Sequence, residues 1–294
     1  MLDAGTTGFA DREWRSGDGL RLYARDYAGM SGDCRLPVIC LHGLTRNSKD
    51  FEQVAPAIAR LGRRVLVPDV RGRGLSDRDS NPLRYHPKVY ARDILTMMDK
   101  LGIASAVFVG TSMGGIITMT IAALRNRAVA AAILNDVGPE IASEGIERIL
   151  SYVGKPVEIS SWDDAVKYVR RINSVAFPGH SDEEWEAFTR RSFREEEGRP
   201  KLDYDPAITV PLARRPIKSR SLVATLLFRW LARRRPTLLV RGELSDLVTA
   251  DIAGRMKRSA PGLKLVSVPG IGHAPMLTEP EAVKPIDDFL ASVP

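Results

Sequence analysis

An α/β fold with a mostly parallel sheet is what this sequence predicts, and three observations predict it. Strand-like and helix-like segments alternate through residues 1–137 and again through 236–294, which is the pattern of successive β-α-β units. The strand-like runs are apolar at consecutive positions, as strands covered on both faces require. Between 138 and 235 that alternation gives way to helical stretches with charged faces.

Taken in order, LRLYARDY (20–27) alternates as a strand. PVICLH (37–42) is a short apolar strand ending in the loop HGLTRN. FEQVAPAIARLG (51–62) has helical spacing and a terminal glycine. RRVLVPDV (63–70) is a strand before the glycine-bearing loop RGRGLS. VYARDILTMMDKLG (89–102) is helical, SAVFVG (105–110) a strand, MGGIITMTIAALR (113–125) an apolar helix and AVAAAILND (128–136) a strand. EGIERILSYV, WDDAVKYVRRINSVAF and DEEWEAFTRRSF then read as helices, followed by a Pro- and Arg-rich passage without a convincing buried strand. PTLLVRG (236–242) restores the strand signal, DIAGRMKRSA is a helix and LKLVSVPG a strand. AVKPIDDFLASV is a final helix with Pro285 near its first turn. The expected organisation is a core in two parts, 1–137 and 236–294, interrupted by a helical insertion at 138–235. An insertion there can lie over the carboxyl ends of the strands, where α/β sheets bind ligands.

The totals suit such a domain. The chain has 294 residues, 44% hydrophobic and 27% charged, enough for a sizeable core. The formal charge is +7 and the pI about 9.5, but acids are interspersed with bases. The excess concentrates in 214–220 and 229–235. With no aromatic-interleaved basic face, nucleic acid is not an expected partner. LVATLLFRWLA (222–232) is too short to span a membrane. It reads as an amphipathic helix packed on the protein with a solvated basic end; the competing reading is a basic helix at a membrane surface. Stable membrane insertion is not expected. The first residues lack an apolar signal region. Cys34 and Cys40 are too few for a disulfide framework, and Cys40 reads as a buried thiol, so the cytoplasm is the expected compartment.

FVGTSMGGI (108–116) carries the chemistry. The pentapeptide G-x-S-x-G alone arises by chance on the order of once in ten chains of this size, so its context decides. Here it joins a strand directly to a helix. The residue at such an apex is forced into a strained backbone, and positions two before and two after it cannot hold large side chains. Gly110 and Gly114 meet that demand and leave the Ser112 hydroxyl clear at the helix start, as in a nucleophile elbow. A serine needs a base. Of four histidines, His273 lies in the glycine-bracketed loop VPGIGHAPML after the last strand, where a mobile imidazole belongs. His42 reads as a structural hydrogen-bonding residue, and His86 and His180 as loop or surface residues. The imidazole needs an acid. Asp246 in RGELSDLV, just past a strand end, is the expected one. Asp136 in ILNDVGPE can reach the same histidine, its other reading being to order the loop at the site floor. Backbone N–H groups of Leu44 and Met113 are the expected oxyanion donors. Trp162, Trp185 and Phe228, with Phe177, Phe188 and Trp230, are candidates for a substrate pocket, each also readable as core.

LHGLTRN, PDVRGRGLSDR, VGTSMGG, RGELSD and GIGHAP, in this order, resemble the α/β-hydrolase fold superfamily in its branch of small bacterial esterases. The resemblance covers the two core parts, and the insertion sits where that family carries a helical cap. It implies a largely parallel sheet of about eight strands, a Ser–His–Asp triad and no cofactor. It also makes the PDVRGRGLS loop mostly structural, so Asp69, Arg71 and Ser76 are not assigned to catalysis. A serine at the elbow argues against the epoxide hydrolases and haloalkane dehalogenases of this fold, which use aspartate there. The expected activity is hydrolysis of small carboxylic esters by a monomer or homodimer. Lactonase, thioesterase, cofactor-free perhydrolase and C–C bond hydrolase are the alternatives on the same triad, and a non-catalytic receptor is a further one.

Overall fold

The computed structural model describes residues 8–29, 35–214 and 217–294; the first seven residues, Cys34 and Arg215 lie outside these. In chain order come β1 (Ala10–Arg15), β2 (Arg21–Tyr27), β3 (Val38–Leu41), α1 (Val54–Arg60), β4 (Val65–Asp69), α2 (Pro87–Lys100), β5 (Ala106–Thr111), α3 (Met113–Leu124) and β6 (Val129–Asn135). Then follow α4 (Ser143–Tyr152), α5 (Trp162–Asn173), α6 (Asp182–Ser192), β7 (Phe193–Glu196), β8 (Arg199–Leu202), α7 (Val210–Arg214) and α8 (Leu222–Ala232). The chain closes with β9 (Thr237–Gly242), α9 (Ala250–Ser259), β10 (Lys264–Val268) and α10 (Pro280–Ala291).

Eight strands form one sheet in the order β1-β2-β4-β3-β5-β6-β9-β10. β2 runs antiparallel to both neighbours, and every other adjacent pair is parallel. The chain moves outward from β3 to β4, then returns to place β5 on the other side of β3. Such a reversal opens a crevice at the carboxyl ends of the two strands. The loop with Gly43 and Leu44 follows β3 and the turn with Ser112 follows β5, so both meet at that crevice.

Alternate residues of each central strand feed two layers. Ile39, Leu41 and Phe108 face a core covered by α2, α3, α8 and α9; Val38, Cys40, Val107 and Val109 face one covered by α1 and α10. Burial pushes the Cys40 thiol pKa up, so it packs as an apolar group.

Three details depart from the sequence reading. β1 carries exposed charges along most of its length, with Trp14 its buried residue; a solvated edge strand has no apolar run to reveal it. The 138–235 segment contains a hairpin, β7–β8. Its last helix, α8, packs on α3 and buries Phe228, Leu231 and Ala232 in the sheet's own core. α10 begins at Pro280 and carries Pro285 as its sixth residue, just past the first turn, near which the sequence placed it.

Candidate active site

The turn from β5 to α3 is as tight as its glycines imply. Ser112 has φ 51° and ψ −113°, a strained conformation costing about 1–3 kcal/mol. A Cβ on Gly110 would stand 2.5 Å from the Gly115 nitrogen, and one on Gly114 would stand 2.1 Å from the Leu41 carbonyl oxygen. The Ser112 side chain does not cap α3. Its hydroxyl lies 3.0 Å from His273 Nε2.

His273 sits in the loop between β10 and α10. Asn135 Nδ2 donates to the Pro275 carbonyl at 2.7 Å, and Gly272 N–H donates to the Ala176 carbonyl at 2.7 Å. These bonds tie the loop to β6 on one side and to the insertion on the other.

The acid beside the imidazole is Asp136, not Asp246. His273 Nδ1 lies 2.7 Å from Asp136 Oδ2, and the Asp136 side chain is fully buried. Asp136 follows β6, the direct neighbour of β5, and its φ of 52° turns the carboxylate inward. Its main-chain N–H donates to Val240 O, Gly242 N–H donates to Oδ1 at 3.2 Å and Ser245 Oγ donates to Oδ2 at 2.5 Å. Ser245 also accepts from Leu247 and Val248 N–H. The RGELSD motif therefore serves the site through its serine, one residue before the expected aspartate. Asp246 lies farther along the sheet and turns to α4, where Arg148 holds it with bonds of 2.5 and 2.9 Å. Burial alone would raise the Asp246 pKa, but the Arg148 guanidinium outweighs it and holds the carboxyl below its ordinary value.

Above Ser112 lies a cavity of about 130 Å³. Gly43, Leu44, Thr111 and His273 form its floor. Ile149, Tyr152, Tyr168, Phe177, Phe188 and Tyr204 of the insertion form its roof and walls. Trp162, Trp185 and Phe228 do not line it. Trp185 is buried within the insertion's own core, Trp162 packs under the Arg190 guanidinium, and Phe228 seats α8 on α3. Phe177 and Phe188 do line it, and His180 stacks on Phe177. The phenols stay neutral well above physiological pH: burial pushes Tyr168 up to about 12, and it raises Tyr152 despite the opposing guanidinium of Arg148. Arg46 gives the cavity a polar edge, where it stacks 4.1 Å over Phe188 and pairs with Asp50.

Two further residues shape the floor, Arg73 and His42, the latter in the structural hydrogen-bonding role its sequence position suggests. Arg73, fully buried, donates through Nε to the Leu44 carbonyl at 3.0 Å and reaches the Tyr90 hydroxyl. His42 Nδ1 lies 2.8 Å from the Gly43 carbonyl, and Nε2 accepts from Val70 N–H at 3.0 Å. Its neutral Nδ1–H form satisfies both bonds, and burial lowers its pKa to about 4. Asp69 accepts from the Ser48 and Leu75 N–H groups, Ser76 Oγ donates to the Asp69 carbonyl, and Arg71 is held by Asp18, Asp79 and Asp93. Among the described residues, no group of three or more His, Cys, Asp or Glu side chains is placed to hold a metal ion.

The family model described as the alpha/beta hydrolase fold matches residues 37–280. A 3-hydroxybutyrate-oligomer hydrolase of Cupriavidus necator is 34% identical over 251 residues, 84% of this chain and 85% of the relative. A 2-(acetamidomethylene)succinate hydrolase of Mesorhizobium japonicum is 28% identical over 86% of this chain and 87% of its own length. The crystal structure of an alpha/beta hydrolase from Novosphingobium aromaticivorans superposes with a TM-score of 0.90 at 41% identity, covering 98% of this chain and 99% of that one.

Proposed function

This chain belongs to the α/β-hydrolase fold family, and from that premise we propose that it is a serine hydrolase of small carboxylic esters. The observation that carries the reading is the continuous line Ser112–His273–Asp136 on the floor of a largely apolar cavity. Ser112 Oγ attacks the ester carbonyl as its proton passes to His273 Nε2, while Asp136 holds Nδ1–H and stabilises the imidazolium. The Leu44 and Met113 N–H groups receive the oxyanion, each worth about 3 kcal/mol of barrier. Arg73 keeps the Leu44 peptide oriented by bonding its carbonyl. Collapse of the tetrahedral intermediate gives the His273 proton to the leaving alcohol. A water deprotonated by His273 then hydrolyses the acyl-enzyme and regenerates Ser112.

The insertion up to α8 serves as a cap that excludes water and sizes the acyl group. The small cavity favours short acyl chains, and similarity to the oligomer hydrolase makes ester-linked 3-hydroxybutyrate units a substrate to try. A second reading, cleavage of a bond other than an ester, is favoured by similarity to the Mesorhizobium enzyme. The deciding experiment measures turnover of a p-nitrophenyl ester series and of 3-hydroxybutyrate dimer by wild type and Ser112→Ala. Burst kinetics and a short-chain optimum in wild type, with turnover lost in Ser112→Ala, are expected. A folded wild type that leaves every ester intact moves the reading to the second one. Activity that survives Ser112→Ala ends the serine mechanism.

A further inference from the structure

α8 packs on α3 with one side only. Leu222, Val223, Leu226 and Trp230 remain on its outer face, with Leu222 83% and Leu226 66% exposed. Residues 222, 226 and 230 are spaced i, i+4, i+8, so they form one line along the 11-residue helix. A line of this kind is what a helix shows when its outer face is meant to be covered.

Charge says by what. From Pro206 to Gly242 the chain contains no Asp or Glu. Arg229, Arg233 and Arg234 share the exposed side of the helix and its carboxyl end, and Lys218 and Arg220 precede it. Among the described residues, no ion pair engages any of these five. The Arg234 guanidinium stacks 3.7 Å over the Trp230 ring, so a cation covers the indole face at one end of the apolar line. An apolar line rimmed by unpaired cations, on a helix that does not span a bilayer, is the arrangement of an interfacial helix. A second copy of the same face is disfavoured, because it would set the same arginines against each other. Nucleic acid would use the arginines but would gain little from burying three aliphatic side chains.

We propose that α8 is a docking face for an anionic phospholipid surface, with Leu222, Val223, Leu226 and Trp230 entering the interface and Arg229 and Arg234 meeting its headgroups. The face has a defined relation to the cavity. Ile141 N–H donates to the Ser219 carbonyl at 2.8 Å, and Glu140 and Arg220 form an antiparallel bridge. The approach to α8 therefore lies alongside the approach to α4, whose Ile149 and Tyr152 line the cavity. Docking places the root of the insertion next to the lipid.

The test is co-sedimentation of the full chain with vesicles of phosphatidylcholine alone and of phosphatidylcholine mixed with phosphatidylglycerol, across a salt series. The bound fraction should be roughly tenfold or more higher on the anionic vesicles at low salt and should fall as salt rises. Leu226→Glu should reduce binding to the neutral-vesicle level, and the double change Arg229→Gln with Arg234→Gln should remove the preference for phosphatidylglycerol. Far-UV circular dichroism and the Tm of each variant should match wild type, since these side chains point outward. Equal binding to both vesicles, no binding, or anionic binding that survives Leu226→Glu in a folded variant would overturn the proposal. A dimer that Leu226→Glu dissolves would reassign the face to a second copy. Retention on duplex DNA that survives Leu226→Glu but not the arginine changes would reassign it to nucleic acid.

Discussion

The loops that leave β6 and β9 begin alike and end differently. Each follows a parallel strand of the same sheet, and each presents an aspartate within a few residues of the strand end. Asp136 is fully buried, receives N–H and O–H donors from Gly242 and Ser245, and meets His273 at 2.7 Å. Asp246 is partly exposed and is taken up by Arg148 from α4. The difference teaches that a carboxylate's role is set by which cation or donor reaches it first. Arg148 neutralises the carboxylate on the β9 loop, and that loop lends its serine to the carboxylate on β6.

The sharpest way to break this comparison is Asp136→Asn. The amide still fits but no longer holds the imidazole in the working tautomer, so kcat should fall by about 10⁴-fold. Adding Arg148→Met frees Asp246; if Asp246 is a reserve acid, the double variant regains most of that loss in ester turnover. We expect recovery below about tenfold, because Asp246 sits beyond the β6 neighbour of the elbow strand.

The next effect defines the pH range in which such comparisons are made. His42 stays neutral in the folded protein down to about pH 4, against an ordinary value of 6.5. Its contribution to stability is complete above 6.5 and is lost as pH falls toward 4, because the unfolded chain takes up the proton first. The span amounts to about 3 kcal/mol. Urea midpoints recorded against pH should show a steeper acid loss in wild type than in His42→Gln. Parallel curves would mean that His42 is not the group responsible.

The smallest catalytic effect is expected at Asp246. Asp246→Asn should change kcat by less than about threefold while weakening the tie between α4 and the β9 loop by about 1–2 kcal/mol, read from the denaturation midpoint. A loss of kcat comparable to that of Asp136→Asn would reverse the assignment of the two loops.

How much of this is legible in the residues follows from the range of each signal. The elbow is legible because its demands are local: Gly110, Ser112 and Gly114 lie within five residues, and a strained apex admits few alternatives. His273 is legible because one glycine-bracketed histidine follows the last strand. The acid is not, because ILND and GELSD satisfy the same local description. Choosing between them requires knowing that β6 adjoins β5 and that Arg148 descends from α4. The aromatic residues fail for a related reason. Trp185 and Phe188 lie on the same helix three residues apart, yet one is core and the other lines the cavity. Helical spacing places both on one side without saying where the cavity ends.

Local chemistry thus sufficed for the α/β class, the alternation of elements, the interruption after β6 and the serine on its elbow. Hydrophobic period and turn residues act over a few positions and are written directly in the chain. Only tertiary structure decided which aspartate faces His273, that Ser245 and Arg73 support the floor, and that α8 belongs to the sheet's own layer with Leu222, Val223 and Leu226 left outside. Those outcomes depend on strand order and on which faces meet across roughly a hundred residues of intervening chain. That is a balance of competing long-range contacts, which no short window of sequence contains.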